Sequence, residues 1–178
     1  MDAIWWAGQT AGLLSGAGYL WAGGARTRLR TLIISLTAEA LGVVSFLLLA
    51  RWALAAVIAV IIVRTWVQYR YGTNPARSWW IASTLNAATV ATYLLVNGWP
   101  ATPVAWMPVA GVLLSGFAFA FHNLVHLKLT LLVCTATWFV YKLIEGLLGS
   151  ALMEIPTAAA TLFALWVAVR AARSPRAS

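Results

Sequence analysis

Glu39 and Arg64 are ionisable residues set in long apolar runs, "IISLTAEALGVVSFLLL" and "VIAVIIVRTWV". Helical rise puts Glu39 roughly 12 Å and Arg64 roughly 9 Å from the same end of a hairpin, so their depths match. A carboxylate and a guanidinium at matched depth are expected to pair. Such a pair either fixes helix register as a structural salt bridge or forms a substrate or proton site; alternatively Arg64 snorkels to the surface on its long stem. A second constellation lies in "TWFVYKLIEG" (137–146). On a helix Trp138, Tyr141, Lys142 and Glu145 share an arc of about 100°. They make one stripe of two aromatics, a cation and an anion, and Glu154 follows across a short turn. Rings of this kind stack on a planar or sugar face while charges hydrogen-bond a polar edge. The competing reading is charge snorkelling at an interface. Asn86 lies centrally in a further apolar run and suits either a hydrogen bond to a neighbouring helix or the same candidate site.

The elements that carry these groups are set by composition. The chain has 178 residues, 62% hydrophobic and 9% charged, against about 25% charged in a soluble domain. Mean hydropathy is +0.85. A soluble fold of this size cannot bury so much apolar surface, so the bilayer is the expected solvent. Ionisable groups inside it cost at least a few kcal/mol on insertion scales and are functional candidates by default. The net charge of +8 then points to basic loops on a membrane surface, and no nucleic acid partner is expected. The start "MDAIWW" has no basic n-region, so the first apolar run is read as a retained span.

Seven runs reach the roughly 20 residues a spanning helix needs: 3–23, 31–50, 53–70, 78–97, 107–125, 129–147 and 151–172. "YGTNPAR" (71–77) and "NGWPATP" (97–103) are turn chemistry, and the breaks near 50–53 and 147–151 imply tight hairpins. Arg26, Arg28, Arg30, Arg70, Arg77, Lys128, Arg170, Arg173 and Arg176 all fall on one side of this plan. The positive-inside rule makes that side cytoplasmic, with the N-terminus outside and the C-terminus inside. Trp5, Trp6, Trp21, Trp52, Trp79, Trp80, Trp99 and Trp106 fall at span ends, as interfacial anchors do.

"LLSG" occurs at 13–16 and 113–116, and "RLRTL" (28–32) is echoed by "HLKLTL" (126–131). The common offset of about 100 residues makes spans one to three a parallel repeat of spans five to seven, an architecture of transporters. The division expected is 1–70 for the first triple-helix bundle, 71–106 for a linker helix with its loops, 107–172 for the second bundle and 173–178 for a basic tail. The fold class is thus an all-α integral membrane protein in a 3+1+3 arrangement.

This layout resembles the SWEET/PQ-loop superfamily, which includes sugar transporters and vitamin transporters of the nicotinamide-riboside type. It is also similar to the YgjV-type family of small bacterial inner-membrane proteins, through "IWWAGQTAGLLSG" (4–16) and Trp138-x-x-Tyr141 with Gly149-Ser150-Ala151 and Glu154. That resemblance implies a bacterial inner-membrane location. Trp138-x-x-Tyr141-x-x-x-Glu145 has the spacing of the vitamin transporters' W-x-x-W-x-x-x-N/D stripe, with Tyr and Glu as departures. Gln9 follows Gly8 where SWEET proteins carry proline, and spans one, two and six have no proline.

No GxSxG, HExxH or paired aspartates occur, so an enzyme is not expected. His122 and His126 at i and i+4 lack the third ligand a zinc site needs; Cys134 is the one cysteine, and neither metal nor cofactor is expected. Gly8, Gly12, Ser15 and Gly16 form a close-packing face, serving either the internal bundle or a homo-oligomer. Pro156 is expected to kink span seven. The function these features imply is a transporter or facilitator of a small polar solute, lined by Glu39, Arg64, Asn86, Trp138, Tyr141, Lys142, Glu145 and Glu154. The alternative is an accessory or scaffold subunit of a membrane complex.

Overall fold

A computed structural model describes residues 3–50, 52–144 and 151–173. Among them lie seven α-helices and no strand: α1 (Ala3–Gly24), α2 (Arg28–Leu48), α3 (Trp52–Tyr71), α4 (Pro75–Asn97), α5 (Pro103–Ala120), α6 (Leu124–Ile144) and α7 (Glu154–Arg173). Helices α2, α4, α5, α6 and α7 are long and apolar enough to cross a bilayer. Several helices begin about a turn before the apolar run does, because polar caps start them. Thr27 accepts the Arg30 N–H ahead of α2. Asn74 accepts from Ala76 and Arg77 ahead of Pro75. Thr102 accepts from Ala105 ahead of Pro103. A side-chain oxygen followed by proline satisfies the free N–H groups of the first turn and pre-sets its φ.

Each helix packs on its neighbours in the chain, and α7 returns to α1, so the helices close a ring; α3 also touches α5. The polarity of this ring is inverted relative to a soluble bundle. Its exterior carries Ile4, Leu13, Leu14, Leu29, Val63, Leu95, Leu152 and Phe163 exposed. Its interior buries Ser15, Ser35, Glu39, Ser45, Arg64, Gln68, Asn86 and Lys128. On α2 the buried set Thr31, Ser35, Glu39, Gly42 and Ser45 recurs every three or four residues, which is one helical face. In lipid that arrangement is the favourable one, since polar groups find partners only inside the protein.

The small-residue face of α1 is spent inside the bundle. A Cβ at Gly8 would strike Leu49, one at Gly12 would press on Ser45, and one at Gly18 would strike Ala38. The close approach lets Ser45 Oγ donate to the Gly8 carbonyl at 2.7 Å and Ser15 Oγ to the Ala38 carbonyl at 2.7 Å. Pro156 does not kink α7. It lies in the first turn of that helix, where the missing N–H has no intrahelical acceptor to lose. The proline inside a helix is Pro108, in α5.

Candidate functional site

Arg64 on α3 is fully buried. Its Nη1 donates to Asn86 Oδ1 on α4 and to the Val112 carbonyl on α5, both at 2.9 Å, and its Nη2 donates to Ser115 Oγ at 2.8 Å. Asn86 in turn donates from Nδ2 to the Leu113 carbonyl at 3.3 Å. Gly116 makes room for that amide: a Cβ there would overlap it. One guanidinium thus ties α3, α4 and α5 together near mid-depth.

Glu39 on α2 is 3% exposed. Its Oε1 accepts from Thr65 Oγ1 at 2.9 Å. The expected Glu39–Arg64 ion pair is not formed; among the described residues the ion pair is Lys142 with Glu154. The reason is azimuth. Successive helical residues are rotated by about 100°, so α3 turns Thr65 toward α2 and Arg64 toward α4 and α5. Glu39 Oε2 and Arg64 Nε are left buried without any hydrogen-bond partner. Almost all buried polar atoms in folded proteins are paired, so two open ones on neighbouring charged groups need a reason.

Both copies of the "LLSG" motif converge on this region. Ser15 anchors the carbonyl of Ala38, the residue beside Glu39, and Ser115 holds Arg64. The aromatic stripe lies on α6, which packs on α5. Trp138 packs with Val57, Ile61 and Val112, and its indole fills the space over Gly111 that a Cβ would block. Val112 belongs to the apolar cluster that Trp138 packs on, and its carbonyl accepts from Arg64. Tyr141 stands edge-on to Trp138 with ring centroids 5.8 Å apart. Lys142 Nζ meets Glu154 Oε1 at 2.5 Å, both groups partly buried, which joins α6 to α7 at the other end of the bundle. Glu145 lies outside the described residues, as do Asp2, Arg51 and Arg176.

Two further cations do more than mark a membrane surface. Lys128 is fully buried, and its Nζ donates to the carbonyls of Ala22 and Gly23 and to Thr31 Oγ1, at 2.8, 2.9 and 3.2 Å. It caps the C-terminus of α1 from α6, where a cation suits the helix dipole. Arg28 does the converse. From α2 its Nε and Nη2 reach the Phe119 carbonyl at 3.1 and 2.8 Å, which caps α5. Its Nη2 also reaches Gln68 Oε1 and Ser78 Oγ, at 3.3 and 3.2 Å. Arg28 and Lys128 stand 100 residues apart in the chain; Arg28 caps α5 from α2, and Lys128 caps α1 from α6. The sequence signal for this was the echo of "RLRTL" in "HLKLTL".

His122 contacts the carbonyls of Ala120 and Thr73, and His126 stands near the Phe121 ring. No group of three or more metal-ligating side chains occurs among the described residues.

A family of sequences described as bacterial inner membrane proteins, Imp-YgjV, matches residues 6–172. No curated protein and no solved structure matches the chain.

Proposed function

The chain belongs to the Imp-YgjV family of bacterial inner membrane proteins, and from that premise we propose that it carries a small polar solute across the membrane by alternating access. In this reading all seven helices span the bilayer, with the N-terminus outside and the C-terminus inside. Helices α1–α3 and α5–α7 are parallel triplets, with α4, which packs on α3 and α5, as the linker. The triplets meet where α7 touches α1 and where α3 touches α5, and these seams are where one would rock against the other. Arg28 and Lys128 cap helices across the halves at the basic end.

The observation that carries the proposal is the open valence of Glu39 Oε2 and Arg64 Nε inside the bundle. A solute presenting a donor and an acceptor satisfies both. Trp138 and Tyr141 supply ring faces on the adjoining segment, and Asn86 positions the guanidinium. Glu39 carries a coupling proton on its free oxygen. Lys142 and Glu154 form the charged entrance on the outer side. The role is that of a transporter, not an enzyme. It is favoured over an accessory or scaffold subunit because the costly charges are spent inside the bundle rather than on faces a partner chain would meet.

The test is thermal stability of the detergent-purified protein across nucleosides, vitamins, sugars and amino acids, beside Glu39→Gln and Trp138→Ala. A ligand that binds the folded state raises apparent stability by mass action. A compound that stabilises the parent and neither variant supports the proposal. Folded variants that respond as the parent does would remove the site from between the triplets.

A further inference from the structure

Arg26, Arg28 and Arg30 lie within five residues of one another at the basic end, yet they face different ways. Arg28 turns inward to cap α5. Arg26 and Arg30 are exposed, and neither guanidinium has a partner among the described residues. The two line one pocket of about 480 Å³ at the junction of α1 and α2. Trp21 forms a wall of it and is 72% exposed. Ile33 and Ile34 continue the wall along α2, roughly 5–6 Å further along the helix axis than Arg30. Gly24 and Ala25 also line it.

The pocket is therefore graded along the helix axis. Two unpaired cations sit at the mouth, an indole stands beside them, and aliphatic side chains run down into the span. The C-terminal carbonyls of α1, which would repel an anion here, are already occupied by Lys128. We infer that this pocket binds the headgroup of an anionic phospholipid, with the phosphate between Arg26 and Arg30 and the first carbons of an acyl chain along Ile33 and Ile34. Charge complementarity selects the headgroup, since basic pockets at the cytoplasmic surface attract anionic lipid. The apolar wall selects lipid over a soluble phosphate, because a free anion gains nothing from isoleucine. Trp21 suits the same place, at the level where indoles settle in a bilayer.

The experiment is native mass spectrometry of the full chain in detergent, titrated with dioleoyl-phosphatidylglycerol and with dioleoyl-phosphatidylcholine. It is run on the parent, on Arg26→Gln/Arg30→Gln and on Arg77→Gln, an exposed arginine outside the pocket. The altered side chains are all exposed, so every form is expected to melt with the parent. At about 1 kcal/mol per basic residue, losing both arginines corresponds to a fall of roughly 10- to 30-fold in affinity for the glycerol lipid. The parent is expected to prefer it over the choline lipid, the double variant to lose that preference, and Arg77→Gln to keep it. Equal binding of the two lipids by the parent would overturn the inference. So would an equal loss in Arg77→Gln, which would mean a diffuse basic surface. A third arm adds millimolar inorganic phosphate: the bound lipid is expected to stay, and its displacement would reassign the pocket to a soluble phosphate.

Discussion

Arg64 and Lys128 are both fully buried cations, held in opposite ways. Lys128 is answered mainly by main-chain carbonyls at the end of α1, groups that exist whatever the side chains do. Arg64 is answered by Asn86, Ser115 and one carbonyl, and its Nε stays open beside a carboxylate with an open oxygen of its own. A cation that saturates fixed acceptors is a rivet. A buried cation with a donor left open still has a valence to fill. The difference between them is one of satisfaction rather than burial, and burial alone would have ranked them equal.

Arg64→Met should break the comparison most severely. It removes the donor for Asn86 Oδ1, the Val112 carbonyl and Ser115, and deprives Glu39 of the nearest cation. A loss of about 3–5 kcal/mol is expected in denaturant unfolding, with no ligand response in what remains folded. Lys128→Met uncaps the end of α1 and should cost about 2–3 kcal/mol. Its ligand affinity should stay within about twofold of the parent, because the rivet lies away from the open charges. Similar behaviour of the two variants in a binding assay would erase the distinction. Gly116→Ala sharpens it. The new methyl meets the Asn86 amide, so a modest loss of about 1–2 kcal/mol should come with a disproportionate loss of binding. Smallest is Lys142→Gln. The Lys142–Glu154 pair is partly exposed, so its loss should cost no more than about 1 kcal/mol in thermal unfolding and shrink further in high salt.

The all-helical class and the approximate helix bounds were legible because apolar length is a strong signal. The starts of α2, α4 and α5 were misplaced because hydropathy ignores the caps, although Thr27, Asn74-Pro75 and Thr102-Pro103 were there to be read. The depths of Glu39 and Arg64 matched as expected, yet the pair did not form. Depth follows from counting residues, whereas azimuth depends on which neighbour each face meets. Lys128 and Arg28 looked like surface markers because their acceptors are carbonyls of distant helices, and main-chain acceptors leave no trace in residue types. The small-residue face of α1 was readable as a packing surface; that it meets α2 required the fold.

The most direct test takes a compound found by thermal stabilisation and follows its radiolabelled exchange in proteoliposomes containing the parent, Glu39→Gln or Lys128→Met. Glu39→Gln keeps the shape of the side chain and the acceptor for Thr65 while removing the charge. The account predicts exchange by the parent and by Lys128→Met, and none by Glu39→Gln. Exchange by Glu39→Gln at the parental rate, or none by any form despite binding, would contradict it.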